Sequence, residues 1–159
     1  MFGSKFPKKR DLYLGESDSL LRLLFSDIDY FNGDLTDLAI SLQDLETRGF
    51  SLDIDRISSK KIVSARMLAQ KSKAKKPTDR ENAYISKFSN SSVNAEVDLD
   101  KNKLFSTSYD PMNGNYAHAS LKCCPLEQKK RSYYIMARAK LKEHLKQNIV
   151  GIDNYPFSH

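Results

Sequence analysis

Apolar and polar residues alternate most clearly over residues 50–55, where the phenylalanine, leucine and isoleucine fall on one face of an extended chain. Ser51 and Asp53 fall on the opposite face, because successive side chains of a strand point to opposite sides. This stretch therefore predicts a half-buried β-strand that carries a hydroxyl and a carboxylate on its polar face.

Other short apolar stretches indicate further strands. Residues 19–25 are an apolar run of strand length with one charge inside it, Arg22. A helical turn is the alternative for this run, because leucine has no special preference for strands. Extended segments are also expected over residues 83–88, 93–99, 104–109 and 116–124, of which the middle two would form a hairpin.

Helical spacing of apolar residues marks the C-terminal part of the chain. Residues 126–149 predict a long helix that begins after Pro125 and ends before Gly151. A shorter helix is expected within residues 36–48, with Gly49 placed to end it. With a basic helix predicted in mid-chain, the pattern gives an α+β fold, a mostly antiparallel sheet of about four to six strands covered by the two longer helices.

The mid-chain helix is predicted over residues 58–73 and is strongly basic. Its expected apolar stripe consists of Ile62, Ala65, Met67, Leu68 and Ala69. The cations of this helix and of the tail that follows it are candidate phosphate-binding residues, namely Lys60, Lys61, Arg66, Lys71, Lys73, Lys75 and Lys76. No helix-turn-helix, RNP or zinc-finger sequence accompanies them, and charged runs are more often solvated helix faces.

Length and composition bound the class of protein. The chain has 159 residues, so one domain is expected over residues 16–150, with a basic arm at 1–15 and an irregular tail at 151–159. No apolar run approaches the roughly 18 residues of a membrane span, so no membrane association is predicted. The two cysteines are adjacent in sequence, which argues against a disulfide framework and favours the cytoplasm.

Charge is divided along the sequence. Residues 11–55 contain eleven acidic and two basic residues, whereas residues 56–80 contain nine basic and one acidic residue. Residues 120–149 are also basic, with eight basic and two acidic residues. Two interpretations are open: acidic and basic elements face each other in the fold, or the basic elements form a face for an anionic partner.

Residues 110–120 are a turn-rich loop that runs into an apolar segment, with one histidine at the junction. His118 lies between two alanines, whose small size allows close approach by a ligand. Together with polar residues of two strands it predicts a small pocket, whose candidate residues are Arg22, Ser51, Asp53, Asp110, Asn115 and His118. The alternative is a buried histidine satisfied by the backbone or by Asp110, with Arg22 paired to an acid.

Motifs for several common chemistries are missing from the sequence. It has no Walker A, G-x-G-x-x-G, H-E-x-x-H or G-x-S-x-G motif, so kinase, NTPase, zincin and α/β-hydrolase functions have no support. Cys123 and Cys124 would point to opposite faces of a strand and are expected to be packed thiols, not zinc ligands or nucleophiles. No metal and no cofactor is predicted.

The candidate residues resemble, in their order, a group of small bacterial proteins. The shared pattern is a Leu-Arg first strand, an (L/F)-S-(V/L)-D strand, and a D-P…N-x-A-H-A loop before a lysine-rich helix, matched here by residues 21–22, 50–53, 110–111 and 115–119. This chain departs from the pattern at Asp55-Arg56 and by its long basic helix. The resemblance implies an accessory protein, in some cases encoded near defence systems, and implies no particular reaction.

Three functions are therefore expected, in order of preference. The first is a non-enzymatic accessory protein that binds another protein, for example within a bacterial defence or toxin–immunity module. The second is an enzyme with a small polar pocket around Arg22, Ser51 and His118, nucleotide-directed or, by analogy alone, ADP-ribosyltransferase-like. The third is a nucleic-acid-binding module that uses residues 60–80.

Overall fold

The computed structural model describes residues 12–26, 28–71, 82–124 and 129–157 of the chain. The strands in these ranges are β1 Ser19–Phe25, β2 Tyr30–Phe31, β3 Asp34–Leu35, β4 Phe50–Ile54, β5 Ala83–Ser89, β6 Phe105–Tyr109, β7 His118–Cys123 and β8 Ile149–Gly151. The α-helices there are α1 Lys60–Lys71, α2 Asn90–Asn94 and α3 Arg131–Lys146. Six of these strands form an antiparallel sheet in the order β6-β7-β4-β1-β5-β8, and β2 pairs with β3 separately.

Helices α1 and α3 cover opposite faces of the sheet. Leu20 and Leu24 of β1 pack in one buried cluster with the inner face of α3. The residues that alternate with them, Leu21 and Leu23, pack in a second cluster with Val63 of α1. Because strand side chains alternate between faces, the two clusters lie on the two sides of the sheet. The predicted α+β fold, with a sheet of this size and a long C-terminal helix, is confirmed.

Strands β1 and β4 diverge in the middle of the sheet. β1 pairs with β5 along its whole length, but with β4 it pairs only at Leu20 and Leu21. Beyond Leu21 the guanidinium of Arg22 replaces the missing strand hydrogen bonds. It donates to the carbonyl of Ser51 at 2.9 Å and to that of Ala39 at 3.4 Å. A backbone carbonyl that loses its strand partner needs another donor. Arg22 therefore holds open a gap in the sheet.

The predicted apolar stripe of the mid-chain helix was wrong in most positions. Val63, left out of that stripe, is 1% exposed, whereas Leu68 is 66% exposed and Ala65 and Ala69 also face solvent. Val63 and Met67 pack on the same cluster because residues four apart share one face of a helix.

The predicted strand over residues 93–99 was also wrong. The hydroxyl of Ser89 accepts a hydrogen bond from the backbone nitrogen of Ser92 and starts α2 directly at the end of β5. Val93 is buried as part of this helix, and the expected hairpin is reduced to one bridge between Val97 and Lys103. A local cap therefore overrides the alternating pattern.

The C-terminal helix ends earlier than its apolar spacing predicts. Ile149 lies in β8, opposite Ser86 of β5, so Gly151 ends a strand and not the helix. The unpaired edge of β5 supplies the partner groups that draw this segment into the sheet. The predicted start at Pro125 lies outside the described residues.

Two further segments differ in detail from the sequence pattern. Residues 36–48 contain a single 3₁₀ turn at Asp37–Ala39 and a π-helical turn at Asp44–Arg48 in place of one helix. The C-terminal tail packs on the sheet through Tyr155, which is 8% exposed and donates its hydroxyl to Asp55 at 2.6 Å.

Acidic and basic elements meet across the α3 face. Asp37 pairs with Lys142 at 3.2 Å and with Arg138 at 3.6 Å, and Asp34 pairs with Lys146 at 3.2 Å. Part of the charge division along the sequence is thus neutralised within the fold. Among the described residues, none of the helices has the length and apolar character needed to cross a membrane.

Candidate active site

A cleft of about 510 Å³ opens on the α1 side of the sheet, where β1 and β4 diverge. Its walls come from these two strands, the 110–118 loop, the turns within 37–48 and the last turns of α1. Its polar lining includes Arg22, Ser51, Arg66, Gln70, Asn115 and His118. We call it the His118 cleft. A volume of this size suits a small molecule.

A tight turn at the tip of the loop positions His118. Met112 and Asn115 exchange two backbone hydrogen bonds of 3.0 and 2.9 Å, and Gly114 between them has a φ of +83°. This left-handed conformation favours glycine, which has no Cβ to clash with the backbone. The chain then enters β7 at His118, directly opposite Asp53 of β4.

The hydrogen bonds of His118 fix its tautomer. Its Nδ1 lies 2.7 Å from the carbonyl oxygen of Asp110 and 3.4 Å from the carboxylate of the same residue. Both oxygens can only accept, so Nδ1 carries the proton and Nε2 of the neutral ring is an acceptor. The residue is 5% exposed, and its Nε2 is buried without a hydrogen-bond partner among the described residues.

Asp53 joins three parts of the site. Its side chain is 3% exposed, and one carboxylate oxygen accepts from the Asn115 amide at 2.7 Å. The other oxygen accepts from the guanidinium of Arg66 on α1. The oxygen of the Asn115 amide in turn accepts from the backbone nitrogen of Ala117 at 3.1 Å. The hydrogen bonds of Asp53 and Asn115 therefore connect β4, the loop and α1.

Arg22 lies at the base of the cleft, in the gap between β1 and β4. Its guanidinium carbon is 4.1 Å from the centre of the Phe50 ring, and its buried Nε has no partner among the described residues. Burial lowers the pKa of Arg22, and the charge of Arg66 lowers it further, whereas Asp29 and Asp44 oppose this shift. Arg22 is thus a cation held partly out of water.

The structure brings the predicted pocket residues together. Four of the predicted residues line the same cleft, namely Arg22, Ser51, Asn115 and His118. Asp53 braces the cleft through Asn115, and the carbonyl of Asp110 accepts a hydrogen bond from His118. No partner for the Ser51 hydroxyl is found in the described part of the chain, and Ser120 across from it donates to Asp110 at 2.9 Å.

Sequence reasoning missed the contributions of α1 to this site. Arg66 and Gln70 both line the cleft, at three and seven positions after the buried Val63. The helical spacing from Val63 would have placed both residues on the face of α1 that meets the sheet. The incorrect apolar stripe placed them on the solvent face instead. Asp44, Leu38 and Met112, which also line the cleft, carried no signal in the sequence.

The candidate phosphate-binding residues are distributed differently. Lys60 and Lys61 are exposed at the start of α1, whereas Arg66 is 22% exposed and paired with Asp53 inside the cleft. Lys73, Lys75 and Lys76, and the side chain of Lys71, lie outside the described residues.

Metal and thiol chemistry find no support in the described ranges. They contain no group of three or more His, Cys, Asp or Glu side chains placed to hold a metal ion. Both cysteines are free thiols at the end of β7, away from the cleft. Burial raises the pKa of the Cys123 thiol to about 12, which disfavours the thiolate that a nucleophile requires.

Comparisons of the chain with protein-family models, with curated proteins and with solved structures found no match. The fold and the site therefore define the class by themselves. The chain is an α+β protein whose antiparallel sheet opens between two central strands to form a polar cleft with a histidine in its wall.

Proposed function

We propose that the protein is an enzyme that binds a small molecule in the His118 cleft, with His118 as the group that accepts a proton from it. The observation that carries this proposal is the pairing of the two ring nitrogens. Nδ1 is held by Asp110, and Nε2 is buried beside the cleft with no partner among the described residues.

A buried polar atom without a partner is costly in a folded protein and calls for an explanation. A ligand that donates a hydrogen bond to Nε2 would supply the missing partner. The same contact places the histidine as general base, because a hydroxyl, an amine or a water at hydrogen-bond distance can transfer its proton to Nε2. Asp110 fixes the tautomer and orientation needed for this transfer, a positioning role.

The braced walls favour a binding site over a chance depression. Asp53 connects β4, α1 and the 110–118 loop through the Asn115 and Arg66 contacts. These contacts fix the walls of the cleft around the histidine. Nε2 of His118 is buried in the free protein, so ligand binding requires a local movement that exposes it. Arg22 keeps the two strands apart, so the opening is built into the sheet.

The test is a screen of uncharged, cationic and anionic small molecules against the wild-type protein and His118→Asn. Binding is measured by the melting temperature and by the ring signals of His118 in NMR spectra. At least one ligand should raise the melting temperature of the wild type, shift the His118 signals, and lose both effects in His118→Asn. His144→Asn is the control, because His144 also has one paired ring nitrogen, 2.9 Å from Glu96, and one buried ring nitrogen with no partner among the described residues, but it lies on α3 and does not line the cleft.

Two results would contradict the proposal. One is a screen in which no ligand perturbs the His118 ring. The other is a ligand that stabilises wild type and His118→Asn equally, since the histidine would then take no part in binding.

An accessory role through binding another protein is the second proposal, and one surface feature favours it. Leu99 is 87% exposed and shares a surface depression with Tyr133 and Met136, on the side of the sheet away from the His118 cleft. Tyr133 and Met136 are half-buried, so Leu99 is the exposed member of this set. Exposed apolar surface rimmed by polar residues is typical of interaction sites. A partner that co-purifies with the wild type and is lost with Leu99→Asp, but kept with Leu68→Asp, would support this role. A protein that is always isolated alone would contradict it.

A further inference from the structure

We infer that the His118 cleft selects an uncharged ligand with several hydroxyl groups and an apolar ring, the chemistry of a nucleoside, and rejects its phosphorylated forms. This inference rests on the proposed function, and it adds the class of ligand. It is drawn from the charges, the unused hydrogen-bonding atoms and the apolar rim of the cleft.

The charge balance of the lining is slightly acidic. Arg22 and Arg66 are its cations among the described residues, and Asp29 and Asp44 line the same cleft. Asp53, directly behind the lining, adds a third carboxylate. One acid is therefore in excess, and a phosphate with two negative charges would meet uncompensated repulsion. The charge of Arg66 is paired with Asp53, and two of the three Arg22 nitrogens already donate to backbone carbonyls.

The unused polar atoms of the cleft include both acceptors and donors. Nε2 of His118 has a lone pair and no donor among the described residues. The carboxylate of Asp44 and the hydroxyl of Ser51 likewise have no hydrogen-bond partner in the described ranges, and neither has the buried Nε–H of Arg22, which is a donor. Sugar hydroxyls are uncharged groups that both donate and accept, so they can pair with the acceptors and the donors of this lining.

The rim of the cleft is apolar. Leu38 is 76% exposed and Met112 is 55% exposed, and both line the cleft. A thioether makes favourable contacts with aromatic rings, and leucine adds apolar surface beside it. A nucleoside can place its apolar ring against the rim and its sugar hydroxyls against the polar residues deeper in the cleft. The cleft volume of about 510 Å³ accommodates a molecule of this kind.

The experiment is a calorimetric titration of the full chain with adenosine, AMP, ribose and adenine. Adenosine should bind most tightly, and AMP should bind at least about tenfold more weakly, as expected for uncompensated charge in a partly buried site. Asp44→Asn removes the excess acid and should narrow the difference between adenosine and AMP. Asp100→Asn, an exposed acid outside the cleft, is the matched control and should leave the difference unchanged.

Each other outcome overturns the inference. AMP that binds as tightly as adenosine, or more tightly, contradicts the charge argument. Ribose or adenine that binds as well as adenosine contradicts the combination of hydroxyls and ring. Absence of adenosine binding, while a different small molecule perturbs the His118 ring, refutes the ligand class and leaves the proposed function intact.

Discussion

The contact between Asp53 and Arg66 joins β4 to α1 beside the cleft, and a double-mutant cycle measures its contribution to stability. Asp53→Asn keeps the shape of the side chain but turns an amide NH₂ toward one of its two donors, Arg66 or Asn115. Because the Asp53 side chain is 3% exposed and that of Arg66 22%, the unpaired groups cannot recover full hydration. We expect Asp53→Asn to lower the free energy of unfolding by about 3–5 kcal/mol, the usual cost of breaking a buried pair.

The reverse change, Arg66→Met, leaves the Asp53 carboxylate buried with only its bond from Asn115, and should cost a similar amount. In Asp53→Asn/Arg66→Met the amide oxygen can still accept from Asn115, and no cation faces the NH₂. The double variant should therefore lose at least about 1.5 kcal/mol less than the sum of the single variants.

Urea unfolding at neutral pH, followed by circular dichroism, gives these free energies if the slope of the transition stays constant among variants. Asp100→Asn serves as control for removal of an exposed acid. Losses that add without coupling would refute the view that Asp53 and Arg66 act as one unit in bracing the cleft.

Three further outcomes are expected. In Arg22→Lys the single ammonium cannot reach the carbonyls of both Ser51 and Ala39. This variant should therefore lower the free energy of unfolding by about 2–3 kcal/mol in the same urea assay. An unchanged free energy would show that Arg22 does not hold the gap between β1 and β4. The raised pKa of Cys123, about 12 against an ordinary 9.0, should slow its alkylation at pH 8 by on the order of a thousandfold relative to the urea-unfolded chain, as followed by mass spectrometry; equal rates would contradict its burial. The hydrogen bond from Lys142 and the charge of Arg138 hold the pKa of Asp37 below its ordinary 3.8, so the stabilisation from Asp37 is present above that pH and lost as pH falls through the lowered pKa. Asp37→Asn should cost no more than about 1 kcal/mol at pH 7 and flatten the acid side of the stability profile, and an unchanged profile would refute this pairing.

The alternating strand pattern was enough to predict much of the cleft. Phe50, Leu52 and Ile54 lie in the core as expected, and this places Ser51 and Asp53 together on the other face. The lone charge in an apolar run singled out Arg22, and the turn-rich loop singled out His118. These patterns depend only on neighbouring residues, so they can be recognised in a single sequence.

Long-range effects explain what the sequence did not reveal. Whether Arg22 faced an acid or a gap depended on where β4 leaves β1, which is a property of the whole sheet. The role of Arg66 depended on which face of α1 meets the sheet. The burial of Val63 against the sheet sets that face. Ile149 continues the helical spacing of α3, yet the open edge of β5 draws it into a strand.

The protonation state of the His118 ring tests the central claim most directly. A long-range ¹H–¹⁵N spectrum of the free protein, assigned with His118→Asn, distinguishes a protonated ring nitrogen from one with a free lone pair. We predict that the neutral ring carries its proton on Nδ1 and not on Nε2, as the contact with the Asp110 carbonyl requires, and that a ligand in the cleft changes the Nε2 signal. A neutral ring protonated at Nε2, or an Nε2 signal that no cleft ligand changes, would contradict the account.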